Sequence, residues 1–152
     1  MSLEENKTIV HRWIEAENKK DLAVLDELMA ADYFDPSMQV PGREGVKQLM
    51  AMMAKAFPDS HETIEDIIAE GDKVWTRIKV TQTHTGELEF LGSTFAPTGK
   101  KITITSIVIW RIVEGKVVES RGVSDMLDFY KQLGIIEYTE KGKKLFPEDV
   151  KQ

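Results

Sequence analysis

The sequence predicts an α+β fold in which three N-terminal helices pack against one face of a curved antiparallel sheet. Apolar residues recur with helical spacing as far as Phe57, and after Pro58 they alternate with polar residues, as in strands with one protected face. A short helical pattern returns after the last predicted strand. Helices grouped before and after a run of strands are typical of α+β folds rather than of alternating α/β folds.

The first two predicted helices form a hairpin. The first covers Leu3 to Lys19, and its apolar stripe consists of Ile9, Val10, Trp13, Ile14 and Ala16. Asp21 can cap the second helix, because a carboxylate there accepts hydrogen bonds from the free N–H groups of the first turn. The apolar residues of the second helix are Leu22, Leu25, Leu28 and Met29.

A third helix is predicted over Arg43 to Ala56, after Tyr33-Phe34-Asp35-Pro36 has broken the helical pattern. Its apolar side carries Val46, Leu49, Met50, Met53 and Phe57. Methionine side chains adapt to irregular surroundings, so those of this helix either fill the core or line the helical wall of a pocket.

Four strands follow, separated by turns rich in glycine. The predicted strands are His61 to Glu70, Val74 to His84, Ile102 to Val113 and Val117 to Ser124, with hairpin turns at Gly71-Asp72 and Glu114-Gly115. Leu88 to Phe95 is expected to be irregular. The third strand is so uniformly apolar and β-branched that we expect it to be central and covered on both faces. Asp125 to Leu133 predicts a closing helix that Gly134 ends.

The composition excludes several classes of protein. The chain has 152 residues and a net charge of -6, which favours one domain spanning 1–152 and disfavours nucleic acid as a partner. It has no cysteine and three separated histidines, so neither thiolate chemistry nor a histidine-rich metal site is expected. No run approaches the roughly 18 apolar residues of a membrane span. We therefore expect a cytoplasmic protein with no membrane partner and no metal.

Candidate polar residues lie on two of the strands. Gln82 and His84 have the same parity as the apolar residues of their strand, so their side chains are expected to face the pocket that a curved sheet leaves beneath its helices. Arg121 and Asp125 share parity on the last strand and its end. The sequence thus predicts polar groups on two strands that converge on one pocket.

Each of these residues has a structural and a functional interpretation. Asp125 is either the N-cap of the last helix or a general acid/base, which would need apolar surroundings to raise its pKa. His84 is either a hydrogen-bonded structural residue or a proton shuttle. Arg121 either forms an ion pair with Glu119 or Asp125, or anchors a substrate carboxylate or oxyanion. The remaining predicted substrate contacts are Gln82, Trp13, Tyr33, Met53 and Phe57.

Several motifs together resemble the SnoaL-like polyketide cyclases, also called SnoaL-like ester cyclases. They are Asn18-Lys19-Lys20-Asp21-Leu22, Thr83-His84-Thr85-Gly86-Glu87, Phe90-Leu91-Gly92, Pro97-Thr98-Gly99-Lys100-Lys101-Ile102, Glu119 to Asp125, and Gln132-Leu133-Gly134. The resemblance covers nearly the whole chain. It implies the NTF2-like fold, a cone of three N-terminal helices against a strongly curved sheet, and a homodimer formed through the sheet's outer face.

The resemblance also implies a reaction. Characterised members close a ring without a cofactor by intramolecular aldol condensation, in which a carbon next to a carbonyl loses a proton and attacks a second carbonyl. The family's acid/base aspartate corresponds to Asp125, and the histidine of its His-Thr-Gly-Glu motif corresponds to His84. Arg121 replaces a tryptophan that is common in the family, which favours anionic substrates.

Three functions remain distinct at this point. The first is an enzyme of the cyclase, isomerase, lyase or hydrolase type that acts on a small carbonyl or ester compound by proton transfer. The second is a non-catalytic dimer that binds a small molecule, with Arg121 and Asp125 as an ion pair. The third is a transport adaptor like the namesake of the fold, for which the sequence shows no docking patch.

Overall fold

The computed structural model describes residues 1–36, 42–90 and 92–148. The helices are α1 (Leu3–Lys19), α2 (Leu22–Leu28), α3 (Gly42–Ala56), α4 (Met126–Leu133) and α5 (Glu140–Leu145). The strands are β1 (Met29–Phe34), β2 (His61–Glu70), β3 (Lys73–Thr83), β4 (Leu88–Phe90), β5 (Ser93–Phe95), β6 (Lys101–Val113) and β7 (Lys116–Ser124). This order confirms the predicted α+β class.

The main sheet has five strands in the order β1-β7-β6-β3-β2. All neighbouring pairs are antiparallel except β1 and β7, which are parallel. The four predicted strands, β2, β3, β6 and β7, form the antiparallel part of the sheet, as expected. The segment that ends at Tyr33-Phe34 was expected only as a break in the helical pattern, and it adds a fifth, parallel strand at the edge. The stretch Leu88 to Phe95 was expected to be irregular but contains the separate hairpin β4–β5.

The helix ends follow the capping residues that the sequence offers. Ser2 and Glu5 form a reciprocal capping box at the start of α1. The Asp21 carboxylate accepts from the Val24 N–H at 3.1 Å and caps α2, as predicted. Gly134 ends α4 with φ 75°, a left-handed conformation that glycine adopts without strain.

Two β-bulges decide which side chains face the helices. In β7 the register with β6 shifts by one residue between Val117 and Glu119, so the inward parity changes within the strand. Ser120 is consequently buried, whereas Arg121 is exposed. A similar shift in β2 lies between Ile64 and Asp66. Bulges of this kind bend a strand and increase its twist, so they help the sheet to curve beneath the helices.

The core lies between the helices and the inner face of the sheet, in two apolar clusters. The larger contains Trp13, Tyr33 and Trp110, packed beneath α1 and α2. The smaller contains Phe57 and Phe129, at the end of the sheet near α4. β6 is central, as predicted, but it is not covered on both faces: Ile107 on its outer face is 43% exposed.

Candidate active site

A cavity with two adjoining chambers lies between the helices and the inner face of the sheet. The larger chamber has a volume of about 390 Å³ and the smaller one about 170 Å³. They adjoin because five residues line both, namely Glu17, Leu49, Met50, Glu62 and Val80. Most of the other lining residues are apolar, as in typical small-molecule sites. The polar lining residues are the candidates for chemistry.

The larger chamber has a polar wall at the end of β3. Gln82 is 2% exposed, and its Oε1 accepts a hydrogen bond from the Ser60 hydroxyl at 3.1 Å. Met53 and Phe57 of the helical wall line the same chamber. Gln82, Met53 and Phe57, all predicted as substrate contacts, thus lie around one volume, and the Gln82 amide can present its N–H groups to a bound molecule.

The smaller chamber contains a chain of hydrogen bonds that runs from Tyr33 to Asp35. The Tyr33 hydroxyl lies 2.7 Å from Ser120 Oγ, and Ser120 Oγ donates to Asp35 Oδ2 at 3.0 Å. Because Ser120 has a single proton and donates it to Asp35, Tyr33 is the donor to Ser120. Burial raises the pKa of Tyr33 far above its ordinary value, so the phenol stays neutral. Trp13, another predicted contact, lines this chamber too.

Two carboxyl groups meet where the chambers join. Glu17 of α1 and Glu62 of β2 line both chambers. Burial, together with the neighbouring Glu62 charge, raises the pKa of Glu17 well above its ordinary value, and the Trp13 indole N–H partly opposes this rise. Burial also raises the pKa of Glu62, whereas a hydrogen bond from Glu17 lowers it. Of the two groups, Glu17 therefore holds a proton more readily than Glu62.

Asn18 fixes this arrangement by holding β2 against α1. Its side-chain nitrogen donates to the Glu62 carbonyl at 2.9 Å, and its side-chain oxygen accepts from the Glu62 N–H at 2.7 Å. Because Asn18 follows Glu17 directly in α1, the same two hydrogen bonds set the position of Glu62 relative to Glu17. The relative position of the two carboxyl groups is thus set by hydrogen bonds between a helix side chain and a strand backbone, and not by a loop.

Asp125 lies at the edge of the cavity but does not face it. Its neighbours Ser124 and Met126 line the larger chamber, whereas Asp125 is exposed and is not among the described lining residues. Its Oδ1 accepts from the Asp128 N–H at 2.9 Å, so it is the N-cap of α4. The geometry agrees with the structural interpretation, and the catalytic role of Asp125 stays a prediction.

His84 is fully buried behind the cavity wall. Its ring packs on Phe57 at 5.2 Å between centroids, and Phe57 lines the larger chamber, whereas His84 is not among the described lining residues of either chamber. The Thr98 N–H donates to Nδ1 at 3.2 Å, so the neutral ring carries its proton on Nε2. Burial lowers the pKa of His84. This neutral histidine anchors the loop at Thr98, and its role as a shuttle stays a prediction.

Arg121 points away from the cavity. Its side chain is 64% exposed and forms an ion pair with Glu119, one of the two partners that the sequence suggested. The bulge in β7 is the physical reason, because it gives the inward positions to Ser120 and Gly122. This position does not support the expectation that Arg121 selects anionic substrates inside the cavity.

The sequence interpretation missed the most unusual groups of the site. Glu17 lies four residues after Trp13, so a carboxylate continues the apolar stripe of α1, and this pattern could have identified it. Glu62 has the parity of Ile64 on β2, which is a similar signal. Ser120 could not be placed without knowledge of the bulge.

The structure also bears on metal binding and on membrane insertion. Within residues 1–36, 42–90 and 92–148, no group of three or more His, Cys, Asp or Glu side chains is arranged to hold a metal ion. In the same parts of the chain, no helix is both long and apolar enough to cross a membrane.

Comparison with known proteins gives consistent matches. A model of the SnoaL-like polyketide cyclase family matches residues 7–133. The aklanonic acid methyl ester cyclase DnrD of Streptomyces peucetius is 27% identical over 133 residues, which are 83% of this chain and 88% of that protein.

Solved structures agree with this result. AclR of Streptomyces galilaeus, a candidate hydroxylase, superposes with a TM-score of 0.77 and 33% identity over 90% of this chain and 100% of its own. IdmH of Streptomyces antibioticus, a candidate polyketide cyclase, gives a TM-score of 0.72 and 31% identity over 85% of this chain and 98% of its own. The matches confirm the resemblance drawn from the sequence motifs and the fold expected from it.

Proposed function

The chain belongs to the SnoaL-like polyketide cyclase family, and we propose that it closes a ring in a small, uncharged polyketide ester by proton transfer within the two-chamber cavity. The observation that carries this proposal is the combination of a mostly apolar cavity with carboxyl groups at the junction of its chambers. An apolar wall accommodates a carbon skeleton, and carboxyl groups can remove and return protons.

Ring closure of this kind needs no oxidation or reduction. A carbon next to a carbonyl loses a proton, the resulting enolate attacks a second carbonyl carbon, and the new alkoxide takes up a proton. The substrate and the product are isomers, so proton transfer and positioning account for the whole reaction. We therefore propose that the protein works without a cofactor.

The charges in the cavity favour an ester over a free acid. The ionisable side chains at the junction and in the smaller chamber include Glu17, Glu62 and Asp35, whereas Arg121 lies outside. Lys20 lines the larger chamber, where its Nζ donates to the Pro58 carbonyl at 2.8 Å. Like charges within a low-dielectric site repel each other, so a substrate carboxylate near the junction would be disfavoured.

A non-catalytic binding protein is the alternative that uses the same cavity. It would hold a ligand of similar shape and leave it chemically unchanged. The homodimer implied by the family resemblance is compatible with both functions, because the cavity lies within one chain and on the opposite side of the sheet from its outer face.

Incubation of the purified protein with aklanonic acid methyl ester and with its free acid tests the proposal. We expect conversion of the ester to a product of unchanged mass with a shifted retention time and absorption spectrum, and slower conversion of the acid. A product heavier by one oxygen atom would indicate hydroxylation and contradict the proposal. Saturable binding without any product, measured by calorimetry, would favour the non-catalytic alternative.

A further inference from the structure

Building on the proposed function, we propose that Glu17 and Glu62 are the acid/base pair of the reaction, with ionised Glu62 as the base and protonated Glu17 as the acid. Both side chains line both chambers, so a substrate that spans the junction contacts the pair. Neither residue belongs to the motifs that suggested the family.

The position of the pair is fixed by the fold. Asn18 forms two hydrogen bonds with the Glu62 backbone, at 2.7 and 2.9 Å, and follows Glu17 in α1. On the other side, Glu62 is opposite Val80 in the β2–β3 register. Catalytic groups held by a helix and a strand keep their geometry better than groups on loops.

The surroundings of Glu17 and Glu62 favour a state in which the two carboxyl groups share one proton. Neither carboxyl group takes part in any ion pair within the described part of the chain. Two adjacent carboxyl groups in a poorly solvated site cannot both ionise readily, so they share a proton and titrate as a unit. The raised pKa of Glu17 agrees with this arrangement.

The smaller chamber also presents a buried hydrogen-bond donor beside the carboxyl pair. Trp13 is 2% exposed, and its indole N–H lies near enough to Glu17 to lower the pKa of that carboxyl but forms no hydrogen bond of ordinary length in the described residues. A buried donor that is incompletely satisfied costs free energy, so an acceptor atom of a ligand beside Glu17 would be stabilised. This donor could therefore bind a carbonyl or an enolate oxygen next to the carboxyl pair.

The proposed steps balance in atoms and charge. The Glu62 carboxylate takes the proton from the carbon next to a carbonyl, and the C–H electron pair passes into the enolate. The enolate carbon forms a bond to the second carbonyl carbon, whose oxygen becomes an alkoxide and takes the proton of Glu17. Glu62 is then protonated and Glu17 is ionised, and transfer of the proton between them restores the starting state.

The experiment compares Glu62→Gln and Glu17→Gln with Glu15→Gln, an exposed substitution on the same helix. Exchange of the substrate α-proton in D₂O is followed by NMR, and ring closure by chromatography. We expect Glu62→Gln to lower both rates on the order of 100-fold, Glu17→Gln to lower ring closure by a similar factor but exchange less, and Glu15→Gln to change neither. Circular dichroism checks that all three variants fold.

A second measurement does not depend on turnover. The infrared spectrum of the wild type near pH 7 should contain a carboxylic acid C=O band that Glu17→Gln removes and Glu15→Gln retains. The catalytic assignment would be overturned if ring closure and exchange persisted in both Glu62→Gln and Glu17→Gln, or if Glu17→Gln left the band unchanged. Either result would leave the proposed function standing. A wild type that shows neither ring closure nor exchange would overturn the proposed function, and the catalytic assignment with it.

Discussion

Glu17 and Asp125 are both carboxylic acids near the cavity, and their surroundings give them different chemistry. Asp125 is exposed, and its Oδ1 accepts a hydrogen bond from the Asp128 N–H in the first turn of α4. Glu17 lies beside a second carboxyl group at the junction of the chambers, where its pKa is raised. Sequence motifs identified Asp125 because a motif is defined by residue type and order. They did not identify Glu17, because a motif carries no information on how well a side chain is solvated.

Replacement of Asp125 separates its two interpretations. Asp125→Asn keeps an acceptor for the Asp128 N–H, so we expect ring closure to stay within about threefold of the wild type. Asp125→Ala loses the cap and should lower the free energy of unfolding by about 1 kcal/mol. Urea unfolding and turnover are measured together. Loss of turnover in Asp125→Asn at unchanged stability would instead establish Asp125 as the acid/base residue.

His84 should make the stability of the fold depend on pH. Its pKa is lowered by burial, so the unfolded state takes up the proton first as the pH falls below about 6.5. The stability that the neutral ring contributes is present above that pH and is lost as the pH falls through the folded pKa. His84→Asn keeps an acceptor near the Nδ1 position and cannot titrate.

The measurement is urea unfolding of the wild type and His84→Asn between pH 7.5 and 5. We expect the stability advantage of the wild type to shrink as the pH falls, with a limiting slope of about 1.4 kcal/mol per pH unit. A constant difference between the wild type and His84→Asn would show that the buried ring does not affect the pH dependence.

At the level of elements, the sequence predicted the helices and most strands but not their irregularities. The bounds of α1 matched the expected Leu3 to Lys19, because a capping box and a clear apolar stripe define this helix. The inward face of β7 was predicted with the wrong parity, since the extra residue between Val117 and Glu119 has no sequence signature of its own. One bulge therefore moved Arg121 out of the predicted site and Ser120 into the observed one.

Gly86 joins two elements at a very short distance. The N–H groups of Thr85 and Gly86 both donate to the Ala56 carbonyl at 3.1 Å, which attaches the end of α3 to the segment after β3. A Cβ atom on Gly86 would lie 1.9 Å from the Lys55 carbonyl oxygen. This contact is with backbone, so a side chain could be accommodated only if α3 moved.

We expect Gly86→Ala to lower the free energy of unfolding by about 3 kcal/mol, and Tm by about 6 to 12 °C in a chain of this size. Gly122→Ala is the control, because its Cβ would meet the Val108 side chain at 3.6 Å, an ordinary contact. Differential scanning calorimetry of both variants measures the effect. Equal Tm values for the two variants would mean that α3 can shift at little cost.

At the scale of the whole molecule, the fold class could be predicted from the sequence, because the apolar periodicity changes from helical to strand-like near Pro58 and back after the last strand, and capping residues lie at the helix ends. The residues that line the cavity could be predicted from the sequence only in part. Gln82, Met53 and Phe57 were placed by parity and helical spacing, but the meeting of Glu17 and Glu62 depends on packing between α1 and β2, which are distant in sequence. Long-range packing of this kind cannot be predicted from local patterns.

The outer face of the sheet carries an apolar patch on the side away from the cavity. Its most exposed members are Ile68 at 66%, Trp75 at 42%, Ile107 at 43% and Val123 at 75%. The β-ladders place Ile68 opposite Trp75, Trp75 opposite Ile109, and Ile107 opposite Val123, so the patch runs across four neighbouring strands. A contiguous patch of large apolar residues is typical of a protein interface, and the family resemblance implies a second copy as the partner.

We therefore predict a dimer in sedimentation velocity at micromolar concentration, which Trp75→Glu and Ile107→Glu convert to monomers because each places a charge within the buried interface. Leu145→Glu, at a residue of α5 that is 74% exposed, should leave the dimer intact. Far-ultraviolet circular dichroism of the monomeric variants should match that of the wild type, since both residues lie on the outer face. The outer face would be excluded as the interface if the wild type sedimented as a monomer, or if Trp75→Glu and Ile107→Glu stayed dimeric.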